Sequence, residues 1–415
     1  MTDKKSGGPL AGVRVLELGS SVAGPFCGRL LADFGAEVIK VEVAEGDAVR
    51  SMGKRASGKS LYAASIFRNK RMISVDLKSD EGRSIVARLA ERSDIVIENF
   101  RPGTMERLGL GYDTLSRSNP GLVMIRISGF GQTGPYAQRA GYGAIGEALS
   151  GLRYLTGDPD RAPARIAASV TDEVTGLYGA LGGMMALFAR GRTGRGQVVD
   201  ATLYESAFSL IEPHVPTYDQ LGVIAERAGA RLPDSAPNNT YVTRDERHIH
   251  ITAMGDAVFA RLATAMGQSE LADDDRYRTQ LARSANEEVL DDIIAGWVRT
   301  HVLDDVVAAL NEGGVPSAPI YSVADIFKDA HFEARDMLLR VPDDTLGTVV
   351  LAGVVPKLSE TPGAVRHTGH GVGEDTADVL AEILGLGAAE IAELKRDRII
   401  VASPTTPSII EKEVS

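Results

Sequence analysis

Through the first third of the chain, short runs rich in β-branched residues alternate with stretches of helical periodicity. The runs are VRVLEL (13–18), EVIKVE (37–42), ISVDL (73–77), DIVIEN (94–99) and LVMIRIS (122–128). Between them lie segments such as PFCGRLLADFG and SDEGRSIVARLAERS, with apolar residues three and four apart. Strands that are apolar on both faces and linked by helices predict right-handed crossovers and a parallel sheet covered on both sides. The fold class expected is therefore α/β, a Rossmann-like parallel sheet in a large domain.

Ligands of such sheets bind beyond the carboxyl ends of the strands. The loops there read GSSVAGP, VAEGDAVR, KSDEG, FRPGTMER and GFGQTGPYAQRAGYG. The large domain is expected over 1–212. The stretch 213–240 lacks periodicity and reads as a linker. A smaller α+β domain follows over 241–330, closed by GVPSAPIYSVADIF, whose prolines mark a boundary. Residues 331–415 return to pack on the large domain through the helical pair DTADVLAEILG and AAEIAELKRDRII, with a polar, frayed tail after Ser403.

Composition excludes several functions. A formal charge of −11 over 415 residues argues against a nucleic-acid partner. Neither an apolar run long enough to span a bilayer nor an h-region after the first lysines is found, so no membrane association is expected. Cys27 is the single cysteine, which excludes an internal disulfide and fits a reducing, cytoplasmic location. G-x-x-x-x-G-K-[ST], G-x-G-x-x-G after the first strand and G-x-S-x-G are all missing, so nucleotide hydrolysis, nicotinamide chemistry and a hydrolase nucleophile elbow are unsupported.

Isolated candidates carry bland readings. His248 and His250 share one face of a strand but lack a third ligand, so no metal site is expected. His367 and His370, in RHTGHG, read as solvated loop residues. Cys27, with no base assigned to it, reads as a small buried residue. ASVTDEVTGLYGALGGMMAL is more informative. Val174, Leu177, Tyr178, Leu181, Met184, Met185 and Phe188 recur at helical spacing and predict a buried helix starting near Asp172. Acids there cap free N–H groups and complement the helix dipole. The same placement keeps a carboxylate ionised and nucleophilic at the edge of an apolar pocket. Position alone leaves both readings of Asp172 and Glu173 open.

Taken in order, PLAGVRVLELGSSVAGPFCGRLLADFGAEVIKVE with GDAVR, NKRMISVDLKSDEG, DIVIENFRPGTMERLGLGYDTL, NPGLVMIRISGFGQTGP, TDEVTGLYGAL, RTGRGQVVDATLYES and GVPSAPIYSVADIFKDAHFEAR resemble the class III CoA transferases. These are the formyl-CoA transferase-like family of the CaiB/BaiF superfamily, and the likeness spans nearly the whole chain. The resemblance implies CoA exchange between carboxylic acids, with an acyl-CoA and an acid acceptor as substrates and no permanently bound cofactor. It implies an interlocked homodimer. It places the nucleophile of the D-x-x-T-G pattern at Asp172 rather than Glu173. CoA contacts map onto Val22, Ala23, Val75 to Lys78, Asn99, Phe100, Arg101, Arg107, Arg139 and Ala140, with Lys70 and Arg71 reaching the nucleotide phosphates. Arg50, Lys54, Arg55 and Arg139 are candidates to pair with the second carboxylate of a succinyl-type acyl group.

Departures from the pattern are equally specific. Val43 stands where some members carry an arginine for the nucleotide, and RLPDSAPNNTYVTRD occupies the place of the formyl-CoA enzyme's glycine-rich capping loop. The α-methylacyl-CoA racemases of the same superfamily place a histidine in A-G-H-D. Here the stretch is Ala140-Gly141-Tyr142-Gly143, which disfavours α-proton transfer. A CoA-ester binding protein without turnover is the remaining alternative.

Overall fold

The structure, a computed structural model, describes residues 7–402. The first six residues, and the tail from Ser403 expected to be frayed, lie outside the described residues. Two compact units divide the chain. The larger takes the described residues up to Leu152, Ile166–Pro216 and Glu333 onward; the smaller takes Arg153–Arg165 and Thr217–Phe332.

In the larger unit six strands run parallel: β1 (Arg14–Glu17), β2 (Glu37–Glu42), β3 (Lys70–Val75), β4 (Ile95–Glu98), β5 (Val123–Ser128) and β6 (Val198–Thr202). Their spatial order is β3-β2-β1-β4-β5-β6, with the terminal strand Ile400–Val401 antiparallel on the free edge of β3. This is the doubly wound order, and its direction reverses between β1 and β4. Side chains alternate across the sheet as a period of two requires. Leu16, Ile39, Ile73 and Val96 pack on one face with Ile85, Val86 and Leu89, and with Val379, Leu380 and Leu394 of the C-terminal helices. Val15, Val38, Ile95, Ile97 and Ile125 pack on the other with Cys27, Leu31, Ala180 and Ala186.

Helices α1 (Ala23–Asp33), α2 (Leu61–Ile66), α3 (Asp80–Glu91), α4 (Gly143–Leu149), α5 (Val170–Thr193) and α6 (Leu203–Phe208) matter below. Two sequence expectations are corrected here. The third strand begins at Lys70, three residues earlier than its apolar run, because its cations find carboxylate partners on both faces of the sheet. Helix α5 buries its small residues rather than its large ones. Thr175, Gly176, Gly179, Ala180, Gly183 and Ala186 face inward, while Leu177, Tyr178, Leu181, Met185 and Phe188 are exposed in the single chain. Close approach explains the choice: a Cβ on Gly176 would sit 2.8 Å from the Ala23 carbonyl oxygen, and one on Gly183 2.7 Å from Ile125 Cδ1.

The smaller unit has a three-stranded antiparallel sheet (Asn238–Val242, His248–Thr252, Ser317–Pro319) under helices Asp256–Ala265, Glu287–Thr300 and Leu303–Glu312. Ile249, Ile251, Phe259, Leu262, Leu290, Ile294, Val306 and Leu310 form its core. Its extent differs from the division expected. The stretch read as a linker is tied into this unit, because the nearly buried Asp291 carboxylate accepts hydrogen bonds from Tyr241 Oη (2.6 Å), Asn239 Nδ2 (2.8 Å) and Arg231 Nε (2.8 Å). Residues 153–165 join it as well, through Gly229 N to Gly157 O (3.0 Å) and Arg227 Nη1 to Tyr154 O (3.0 Å). Polar ties of this kind leave no mark on hydrophobic periodicity.

Candidate active site

The carboxyl ends of β1 and β4, on either side of the reversal, hold the loops GSSVAGP and NFRPG. Asn99 joins them: its Oδ1 accepts from Ser20 N (2.7 Å) and its Nδ2 donates to Ser20 O (2.8 Å). Ser21 takes a left-handed φ of 63°, held by its N–H donating to Asp47 Oδ1 (3.0 Å). Gly19 and Gly24 close the turn, since a Cβ on either would lie 3.1 Å from the other's Cα. The turn delivers Val22 and Ala23 to the start of α1, which has no side-chain cap and no acid in its first turn. Backbone N–H groups left open at a helix start favour an anion or a developing oxyanion.

Beneath this turn lies a buried ionic cluster. Lys70 Nζ donates to Glu17 Oε2 and to Pro25 O, both at 2.7 Å. Lys40 Nζ lies 2.9 Å from Asp47 Oδ2 and donates to Gly19 O. Burial pushes the Glu17 carboxyl up and the Lys70 ammonium down from their ordinary values. Lys70 is fully buried, so its expected reach to the CoA phosphates is not available in this geometry. Arg71, on the opposite face, is engaged by Glu37 (3.1 Å) and Glu382 (2.7 Å). Both cations belong to the sheet's own ion pairs.

The other candidates divide by exposure. Val75 is buried in the core and its backbone pairs with Ile400, so its side chain meets no ligand. Lys78, Arg101, Arg107 and Arg139 are exposed, with Arg107 within electrostatic reach of its neighbour Glu106. Arg107 Nη2 donates to Thr104 Oγ1 (2.8 Å), and the Arg139 guanidinium lies 3.6 Å from the Tyr136 ring centroid. Phe100 lies partly buried after β4, with its N–H donating to Glu98 Oε2 (2.8 Å), and Ala140 is exposed. Arg50 is held bidentately by Glu42 (2.8 and 2.7 Å), which disqualifies it as an open partner for a substrate carboxylate; Lys54 and Arg55 are exposed.

Asp172 occupies the third position of α5, after Ser169. That helix crosses the start of α1, with Gly176 against Ala23 and Cys27, so the half-buried Asp172 carboxylate lies one turn from the switch point. The first turn's peptide dipoles favour a negative charge there. On its other side stands α4, whose first residue, Gly143, has its Cα directly against the Asp172 carboxylate. The neighbouring acid faces a different environment. Glu173 is in electrostatic reach of Arg29 and Tyr62 on α1 and α2. The two acids of the motif thus have different neighbours: Glu173 lies within electrostatic reach of the Arg29 guanidinium, while Asp172 packs against Gly143 of α4.

Sequence reading missed two of these neighbours. The Tyr62 phenol is raised in pKa by burial, counteracted by a hydrogen bond with Ser169 and reinforced by Glu173 and Asp172. Nothing in SLYAASI marks that tyrosine. Gly143 enters the sequence reading only within Ala140-Gly141-Tyr142-Gly143, the stretch that lacks the racemase histidine. Cys27 is buried against Glu17, and desolvation pushes its thiol up, which suits an inert residue.

Both ring nitrogens of His250 are engaged, Nδ1 with Thr240 Oγ1 (3.1 Å) and Nε2 with Asn238 Oδ1 (2.8 Å), and no cluster of three metal-binding side chains occurs among the described residues. His367 and His370 are not solvated loop residues. Their rings stack at 4.2 Å, and His370 Nδ1 lies 2.9 Å from Asp375 Oδ2. That segment is strapped along the entry to β3 by Asn69 N to His367 O (3.2 Å) and Met72 N to Asp375 Oδ2 (2.6 Å). Tyr142, at the racemase histidine position, is exposed.

A doubly wound sheet whose switch point presents open helix N–H groups, a helix-start carboxylate and exposed surface cations defines a group-transfer enzyme for an anionic ligand. Comparison with known proteins makes the class specific. The sequence profile of CoA-transferase family III matches residues 10–376. The succinyl-CoA–D-citramalate CoA-transferase of Chloroflexus aurantiacus is 47% identical over 402 residues, 96% of this chain and 100% of that one. The succinate–glutarate CoA-transferase of Agrobacterium fabrum is 37% identical over 90% of this chain and 96% of its own. A CaiB/BaiF family protein from Brucella suis superposes with a TM-score of 0.81 at 37% identity, covering 91% of this chain and 100% of its own. The chain belongs to CoA-transferase family III. It is a CoA transferase whose substrates are a CoA thioester and a carboxylic acid. Among the described residues no helix is long and apolar enough to cross a membrane.

Proposed function

We propose that this enzyme moves CoA from succinyl-CoA, or a closely related dicarboxylyl-CoA, to a second carboxylic acid, with Asp172 as the covalent nucleophile. The single observation that carries the nucleophile is its setting. Of the two acids in the first turn of α5, Asp172 is the one whose carboxylate lies against Gly143 of α4. An Asp172 oxygen attacks the thioester carbonyl and expels CoA thiolate, leaving a mixed anhydride. The thiolate attacks the aspartyl carbonyl, forming an aspartyl-CoA thioester and releasing the first acid as its carboxylate. The acceptor carboxylate attacks that thioester, and the returning thiolate then attacks the acceptor's acyl carbonyl to regenerate Asp172. Each step exchanges one activated acyl bond for another, so no nucleotide is hydrolysed.

The open N–H groups of α1, at Ala23 and Gly24, are suited to the oxyanion of each tetrahedral intermediate. Val22, Asn99, Phe100, Arg101, Arg107, Arg139 and Ala140 ring the strand ends for the pantetheine and nucleotide, with Lys78 further along the sheet. The succinyl assignment is supported by the printed activities of the relatives, and by exposed Lys54, Arg55 and Arg139 as partners for a distal carboxylate.

The apolar outer face of α5, with Leu177, Leu181, Met185 and Phe188, supports a homodimer as its cover. Light scattering of Met185→Glu/Phe188→Glu at micromolar concentration should report a monomer; an unchanged dimer removes that assignment. For the chemistry, Asp172→Asn should lose at least ~10³-fold in kcat. Wild type incubated with succinyl-CoA and hydroxylamine should yield a hydroxamate at residue 172. Full transfer by Asp172→Asn refutes the nucleophile, and equal rates with acetyl-CoA and succinyl-CoA refute the dicarboxylate assignment.

A further inference from the structure

Gly143 is not glycine for the sake of its backbone, whose φ lies outside the left-handed region. It is glycine for space. A Cβ there would stand 2.1 Å from Asp172 Oδ2, 2.8 Å from Cγ and 3.2 Å from Oδ1. The collision is with the carboxylate alone, and distances this short require something to move.

The backbone cannot retreat. Two residues before Gly143, Gly141 is pressed against β5's end, where its Cβ would lie 2.7 Å from Gly129 Cα. One turn later Gly146 is pressed against α6, where its Cβ would lie 2.9 Å from Leu203 Cβ and 3.0 Å from Leu203 C. Helix α4 is thus pinned on both sides of Gly143, and any adjustment falls on the Asp172 side chain. A carboxylate that must reach a thioester carbon at roughly 3–3.5 Å in a fixed direction tolerates little displacement.

We propose that Gly143 is a positioning residue for the transfer reaction: its bare Cα forms a rigid wall that limits the rotamer of the Asp172 carboxylate and so sets its approach to the acyl carbon. The kinetic part of this proposal rests on Asp172 being the nucleophile; the geometric part does not. Gly143→Ala should lower kcat by about 10²-fold, the loss expected for a displacement near 1 Å, while KM for the CoA ester stays within about threefold.

A thermal double-mutant cycle separates this from general misfolding. Gly143→Ala should lower Tm by on the order of 5 °C in wild type, and by none in an Asp172→Ala background, where alanine early in a helix is neutral or slightly favourable. Folding of the double variant where Gly143→Ala alone fails to fold supports the same contact. An equal Tm loss in both backgrounds, failure of both to fold, or a kcat within twofold of wild type overturns the proposal. Should Asp172→Asn keep full activity, the nucleophile fails on its own while the thermal cycle still reads the contact.

Discussion

Replacing Lys70 by methionine distinguishes a scaffold cation from a phosphate ligand. The Lys70 ammonium is fully buried, and its bonds run to Glu17 Oε2 and Pro25 O, both at 2.7 Å. Methionine preserves much of the side-chain volume while removing the charge and both hydrogen bonds. Glu17 would then keep Lys40 as its nearest cation, 3.9 Å from Oε1, an oxygen without a hydrogen-bond partner. Breaking a buried pair from one side costs about 3–5 kcal/mol, because the remaining charge stays desolvated. For a domain of this size the loss corresponds to a Tm decrease on the order of 5–15 °C. Differential scanning fluorimetry of the free enzyme reads the shift, and initial rates below the transition give KM for the CoA ester. The expected pattern is a large Tm loss with KM nearly unchanged, and recovery of most of the stability in Glu17→Gln/Lys70→Met. A Tm within about 1 °C of wild type together with a KM raised tenfold would refute the reasoning and restore Lys70 as a phosphate contact.

Exposed Arg107 and Arg101 should behave in the opposite way: alanine at either position raises KM for the CoA ester by about three- to tenfold, with Tm unchanged and an effect that shrinks at high salt. No change in KM would remove these arginines from the binding surface. For His370, burial lowers the imidazole pKa, but the bond to Asp375 and the nearby Glu374 outweigh it and the net shift is upward, against opposing charge from Lys59. The folded value exceeds the unfolded one, so the stabilisation is complete below the ordinary imidazole pKa of about 6.5 and is lost as pH rises through the raised value. The Asp375 carboxyl is opposed by burial but held low overall by His370, so its contribution is present above the ordinary carboxylate range and lost as pH falls through the depressed value. The Tm difference between wild type and His370→Gln should therefore be greatest near pH 5–6 and fade above about pH 8; a difference that grows with pH contradicts the pairing.

The sheet was legible because burying a strand on both faces demands β-branched side chains, and five strands carried that pattern. The sixth, VVDAT, did not: as an edge strand it keeps Asp200 exposed, with its Oδ2 accepting from Gln132 N at 2.9 Å. Asp172 was legible as a candidate from its place before a helix, and as a nucleophile only through the family likeness. What hid Gly143 and Tyr62 is that neither has a local reason to matter. Each lies against the α5 N-terminus from an element distant in sequence.

Local chemistry alone determined the periodicities, the loops at the strand ends, the helix whose first turn holds Asp172 and the absence of phosphate-binding glycine signatures, because each depends on residues within one or two turns of each other. Tertiary structure decided which charges are available to a substrate. Lys70 and Arg71 look like Arg101 and Arg107 in sequence, yet the first two form ion pairs with Glu17, Glu37 and Glu382, whereas the last two are exposed. It also decided which face of α5 is buried, since backbone approach at Gly176 and Gly183 excludes the larger side chains from the inner face. Burial and pairing depend on distances between segments far apart in the chain, and those distances exist only once the sheet has formed.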